Sequence, residues 1–106
     1  MTEKHHLLTN QQFEKKFKDC TLNSVLFTHE AHLRLAYIHI TTFGIETAIK
    51  NLCVQIAAFD QKFGDGKKFN KTVTIASAHV MNHFINRSES NNFNELLIEL
   101  DRKSVV

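Results

Sequence analysis

Apolar residues recur every three or four positions along most of the chain, which is the spacing that places side chains on one face of an α-helix. The segment 45–63 shows this pattern best. Its apolar positions form one stripe, which consists of Ile45, Ala48, Ile49, Leu52, Cys53, Ile56, Phe59 and Phe63. No segment alternates apolar and polar residues for long enough to predict a β-sheet. The pattern therefore predicts an all-α fold.

Residues that favour helix starts and stops divide this pattern into five predicted helices. The helices are expected to cover residues 10–20, 29–43, 45–63, 71–87 and about 93–102. Four of them follow a residue that commonly caps a helix, namely Thr9, Thr28, Asn70 and Asn92. Because the connections are short, consecutive helices are expected to be antiparallel neighbours. Residues 1–106 are thus predicted to form a single helical domain, an irregular antiparallel bundle of four to five helices.

The predicted second helix carries an unusual row of histidines. Each residue turns a helix by about 100°, so Glu30, Arg34 and Thr41 fall on one side, which is expected to face solvent. The opposite side, which points to the predicted core, carries His29, His32, Ala36, His39 and Phe43. The fourth helix is expected to face the core with Val73, Ala76, Val80, Met81 and Phe84. Imidazoles buried in such a row need polar partners or a shared ligand.

Composition excludes several classes of protein. The 106 residues carry a net charge of +2 with scattered basic residues, which argues against nucleic acid as a partner. No apolar run reaches the roughly 20 residues needed to span a membrane, and the chain starts without a hydrophobic signal segment. A cytoplasmic protein is expected, in which Cys20 and Cys53 are reduced. His5 and His6 are expected to lie in a frayed terminus.

The seven histidines allow two interpretations. One is a pocket between the second and fourth helices that binds a small molecule or a divalent transition metal, with His32, His39 and His83 as metal ligands. His79 and His83 stand one helical turn apart, although such a pair is common on a solvated face. The other interpretation is structural, with each imidazole satisfied by hydrogen bonds in the core. The sequence contains no motif typical of catalysis.

A second functional hypothesis is a binding module without chemistry of its own. Phe13, Phe17 and Phe93 lie on the short terminal helices, where they could form an exposed apolar patch. A second copy of the chain or another protein would cover such a patch. The sequence therefore also allows a homo-oligomer or a partner-binding bundle.

Two segments resemble a family of small uncharacterised bacterial proteins marked by F-x-H-x-x-H-x-R-x-A and K-F/Y-x-x-T-x-T. The segments are Phe27–Ala36 and Lys68–Thr74, and the resemblance covers roughly residues 22 to 104. It implies an all-helical fold and no established activity. The motif residues that it singles out are His29, His32, Arg34, Lys68, Thr72 and Thr74. The residues expected to bind a ligand are His29, His32, Arg34, His39, Thr72 and Thr74. Relatives often carry His where this chain has Asn70, and they continue into an aromatic C-terminal stretch, so a shortened chain is expected here.

Overall fold

Five α-helices make up most of the computed structural model, which describes residues 4–64, 66–67, 69–88 and 92–104, with side chains as far as residue 99. The helices are α1 Asn10–Lys18, α2 His29–Phe43, α3 Ile45–Phe63, α4 Lys71–Arg87 and α5 Phe93–Ser104. Short 3-10 turns at Lys4–Leu7 and Ser24–Leu26 precede α1 and α2. No strand occurs in these described ranges. The prediction of an all-α bundle is confirmed.

Local side-chain chemistry sets the helix boundaries. Thr9 and Gln12 form the expected capping box, in which each side chain accepts the backbone N–H of the other residue. Gly44 has a φ of +85°, which lets α2 end and α3 begin without an intervening loop. Helix α1 ends at Lys18, earlier than predicted, because the chain turns at Cys20, which has a left-handed φ of +57°.

Helix α2 lies at the centre of the bundle and packs against α1, α3 and α4. The first helix fills one side of the core through Phe13 and Phe17, both fully buried. The ring of Phe17 stacks on Phe59 of α3 at 4.7 Å between centroids. The fifth helix adds Phe93, whose ring lies 5.6 Å from that of Tyr37 on α2. Aromatic contacts of this kind add to the stabilisation that comes from apolar burial.

The core-facing side of α4 differs from the prediction. The expected positions Val73, Ala76 and Val80 are exposed, whereas Met81 is buried and Phe84 is half-buried, as expected. The helix packs instead through the stripe of Thr74, Ala78, Met81 and Ile85. The apolar residues of α4 are distributed around nearly its whole circumference, so the sequence pattern does not select one face to pack against the core.

The structure also overturns the expectation that Arg34 faces solvent and that His5 is frayed. Arg34 is only 6% exposed because the N-terminal segment folds over it. Its guanidinium donates hydrogen bonds to the carbonyl oxygens of His5 and Leu8, both at 2.7 Å, and to Asn10 Oδ1. His5 itself is fully buried. This contact attaches residues 4–10 to α2, which a helical wheel of α2 alone does not show.

None of the described helices combines the length and the apolar character that are needed to cross a lipid bilayer.

Replacement of Arg34 by Met should lower the free energy of unfolding by about 2–3 kcal/mol, since it removes several charge-assisted hydrogen bonds and leaves carbonyl groups without donors. Urea denaturation followed by circular dichroism measures this change. The matched control is Arg87→Met, because Arg87 is exposed at the end of α4. The control should change stability by less than about 0.5 kcal/mol. Equal effects of the two substitutions would contradict the anchoring role of Arg34.

Candidate functional site

A groove between α2, α3 and α4 contains two partly open cavities. The first, of about 290 Å³, is called the aromatic cavity because four phenylalanines line it, namely Phe27, Phe59, Phe63 and Phe69. The second, of about 220 Å³, is called the aliphatic cavity and is lined chiefly by Leu33, Ala36, Leu52, Ile56, Val73 and Ala78. His32, Ile56 and Phe69 line both cavities. The two cavities therefore meet at these three residues.

His32 occupies the junction of the two cavities. Its ring lies 4.4 Å from the ring of Phe27, between centroids, and part of it remains open to solvent. Burial among the surrounding protein atoms lowers the pKa of His32 below its ordinary value, and the nearby His29 lowers this pKa further. At neutral pH the imidazole is consequently uncharged. It can accept a hydrogen bond with one ring nitrogen and donate one with the other.

Some of the residues expected to bind a ligand line the groove, and others do not. His29, His32 and Thr74 line the aliphatic cavity, together with the polar side chains of Asn70 and Ser77. Thr72 is exposed on α4 and lines neither cavity. Arg34 lies in the contact with the N-terminal segment described above. The motif residue Lys68 falls outside the described residues.

His39 faces a different part of the protein. It is fully buried, and Asn51 of α3 donates to its Nδ1 at 3.4 Å. Burial lowers the pKa of His39, and Lys18 lowers it further, while Glu14 and a hydrogen bond to Gln55 oppose the shift. Within the described part of the chain, His39 Nε2 and Gln55 Oε1 are both buried without a hydrogen bond of good geometry.

The expected metal ligands His32, His39 and His83 are not brought together. His32 and His39 are seven residues apart on one helix, which separates them by about 10 Å along the axis. His83 is exposed on α4 and packs edge-on against Phe84, and His79 is exposed as well. The helical wheel gave the correct direction for His39, which is buried, whereas His29 and His32 are exposed at the groove. The wheel also does not include the distance along the helix.

A different set of ligand-type atoms converges beside the N-terminal segment. Among the described residues, His5, His6 and Glu30 are the one group that brings three such atoms within 4.8 Å. Nε2 of both histidines lies 2.8 Å from Glu30 Oε2. Burial raises the pKa of Glu30, but the hydrogen bonds and charges of His6 and His5 outweigh burial, so the net pKa is lowered.

The contact with Arg34 favours a hydrogen-bonded network at this cluster over metal binding. Arg34 Nη1 lies 3.2 Å from His5 Nδ1 and donates to it. Because Nδ1 accepts this hydrogen bond, the ring proton of His5 lies on Nε2, where it donates to Glu30. A metal on Nε2 would move this proton to Nδ1 and place it against the Arg34 donor. We interpret the cluster as part of the N-terminal anchor.

The aromatic cavity was not foreseen from the sequence. Phe59 and Phe63 were expected to belong to the core stripe of α3, but Phe63 is 43% exposed at the helix end. The loop after Gly64 returns Phe69 to the same place, where its backbone N–H donates to Asp60 Oδ2 at 2.9 Å. Aromatic residues on both sides of a glycine-containing turn were the available signal.

The apolar patch that suggested an interaction module is absent from the described surface. Phe13 and Phe17 are fully buried and Phe93 is 5% exposed. Their burial removes the basis for that hypothesis, although Val73 and Val80 remain exposed on α4. A homo-oligomer or partner-binding bundle therefore stays a prediction.

Comparison with protein-family models, with curated proteins and with solved structures finds no match to this chain. The resemblance to small bacterial helical proteins stays a prediction. The function is consequently inferred from the geometry of the groove.

The lowered pKa values of His32 and His39 predict that the protein loses stability in mild acid. In the unfolded chain a histidine has a pKa of about 6.5, so below this pH the unfolded state binds more protons than the folded state. The free energy of unfolding should therefore fall as the pH drops from 7.5 to 5.5. Urea denaturation at the two pH values measures the difference. The lowered pKa of Glu30 acts only near or below its ordinary value of 4.5, outside this window.

The double variant His32→Gln, His39→Gln should lose much of this pH dependence. The matched control is the double variant His79→Gln, His83→Gln, because both of those histidines are exposed on α4. The control should keep the pH dependence of the wild type. If both double variants keep it, then neither His32 nor His39 is responsible for the acid sensitivity.

Proposed function

We propose that the protein binds a small organic molecule in the groove between α2, α3 and α4. The observation that carries this proposal is the junction at His32, Ile56 and Phe69, which line both cavities. A ligand at the junction would contact α2, α3 and the loop before α4 at once. Sites of this kind are common between the helices of bundles.

The composition of the groove supports a ligand with a largely apolar body. Ligand pockets are typically lined by apolar and aromatic side chains, with a few polar groups that orient the ligand. The two cavities have this composition, and their polar lining residues are Ser24, His29, His32, Asp60, Asn70, Thr74 and Ser77. Their volumes of about 290 and 220 Å³ suit a ligand of one ring or a short chain in each cavity.

His32 is the residue that we expect to orient the ligand. Its uncharged imidazole lies where the two cavities meet, so it can accept a hydrogen bond from a ligand or donate one to it. The proposal concerns an organic ligand and not a metal, because the expected ligand set of three histidines is not assembled. Binding to the groove requires no rearrangement of the buried Arg34 or His39.

A variant that fills the aliphatic cavity should prevent binding there. Ser77 lines this cavity, whereas its neighbour Ala76 is exposed on α4 and lines neither cavity. Ser77→Phe should therefore weaken the binding of small probes, and Ala76→Phe serves as the matched control. Suitable probes are phenol, indole and benzyl alcohol, titrated into the full chain while backbone amide shifts are recorded by nuclear magnetic resonance.

We expect saturable shifts near His32, Ile56 and Phe69, with Kd on the order of 0.1–1 mM for probes of this size. Ser77→Phe should raise Kd for the probes that enter the aliphatic cavity by about tenfold or more, and Ala76→Phe should leave it unchanged. Shifts that do not saturate, or that are spread evenly over the surface, would contradict the proposal.

A further inference from the structure

The aromatic cavity is lined both by aromatic rings and by one carboxylate. The ring of Phe59 lies 5.1 Å from that of Phe27 and 4.7 Å from that of Phe63, measured between centroids. Asp60 follows Phe59 on α3, and its side chain lines the same cavity. The face of an aromatic ring carries partial negative charge and attracts cations. The rings and the carboxylate therefore both attract a cation.

Among the described lining residues of this cavity, Asp60 is the one with a formal charge at neutral pH. The lowered pKa of His32 leaves its imidazole uncharged, so this ring does not repel a cation. A neutral imidazole also offers a lone pair to an N–H or O–H donor. Asp60 is held in place because its Oδ2 accepts the backbone N–H of Phe69. This hydrogen bond fixes the carboxylate beside Phe69, which lines the same cavity.

A lysine of the same chain already contacts one of these rings as a cation. The ammonium nitrogen of Lys62 lies 5.3 Å from the centroid of Phe63 and donates a hydrogen bond to the carbonyl oxygen of Cys20 at 2.8 Å. Lys62 is exposed and does not line the aromatic cavity. The Phe63 ring is thus positioned to interact with an ammonium group at the edge of the groove.

Because aromatic rings and the Asp60 carboxylate line the same cavity, we propose that the aromatic cavity binds a small organic ammonium ion. The alkyl groups of the ion contact Phe27, Phe59 and Phe63, and its charge is balanced by Asp60. This inference rests on the proposed function, because it assigns a ligand class to one part of the same groove. An anionic ligand would instead meet the repulsion of the carboxylate and the rings.

Three probes of nearly equal shape and different charge test this inference. They are choline, its uncharged carbon analogue 3,3-dimethyl-1-butanol, and the anion 3,3-dimethylbutanoate. Each is titrated into the full chain at pH 7.5 and low salt, and the backbone amide shift of Phe69 is followed. Choline should bind about tenfold more tightly than the alcohol, and the anion should bind most weakly.

Two substitutions separate the charge of the site from its shape. Asp60→Asn keeps an oxygen that can accept the N–H of Phe69, and it should bring the affinity for choline down to that for the alcohol. The matched control Asp19→Asn changes an exposed carboxylate that does not line the cavity, so it should keep the preference of the wild type. Phe63→Leu removes one aromatic ring, so it should weaken the binding of choline more than the binding of the alcohol.

The outcomes distinguish the ligand class from the existence of the site. If the alcohol and choline bind equally well to the wild type, the ammonium inference is wrong and the groove remains a binding site. If none of the three probes binds, while phenol, indole and benzyl alcohol do, the ammonium inference is wrong as well. Failure of all six compounds would overturn this inference together with the proposed function. If Asp60→Asn does not fold, the ranking of the three probes on the wild type and on Phe63→Leu still decides.

Discussion

The structure depends on the burial of α2 among three other helices and the N-terminal segment. A buried polar side chain on a helix in this position needs a partner inside the protein. Arg34 meets this requirement through backbone carbonyls of residues 5 and 8 and through Asn10. Residues 4–10 are consequently part of the fold, since they provide the acceptors that this buried guanidinium contacts.

The opposite part of α2 is packed less completely, and the candidate site lies there. Small residues at positions 36 and 78 face the groove, and Phe69 closes it from the loop before α4. Apolar side chains line a space that they do not fill, which leaves two cavities on either side of His32. Unfilled cavities reduce the stability of the folded state. The presence of two of them is therefore consistent with a groove that binds a ligand.

The polar groups of α2 fall into three environments that differ in charge. Near the N-terminus of the helix, Glu30 and Arg34 form a hydrogen-bonded network with His5 and His6. In the middle, His39 is an uncharged ring in the core, with a lowered pKa. At the groove, an uncharged His32 lies in a cavity wall that also contains the Asp60 carboxylate. The row of histidines therefore serves different purposes along one helix.

The sequence by itself determined the helices, because caps such as Thr9, Thr28 and Asn70 and the stop at Gly44 act through contacts within a few residues. Through the periodicity of α2 it also indicated His32 as a candidate site residue. Only the tertiary structure decided the rotation of α4, the burial of Arg34 and the separation of His32 from His39 and His83. These features depend on which distant segment covers each helix face and on the position of each residue along the helix axis. Helical periodicity gives only the direction of a side chain around the axis, so it predicts neither the covering segment nor the separation along the axis.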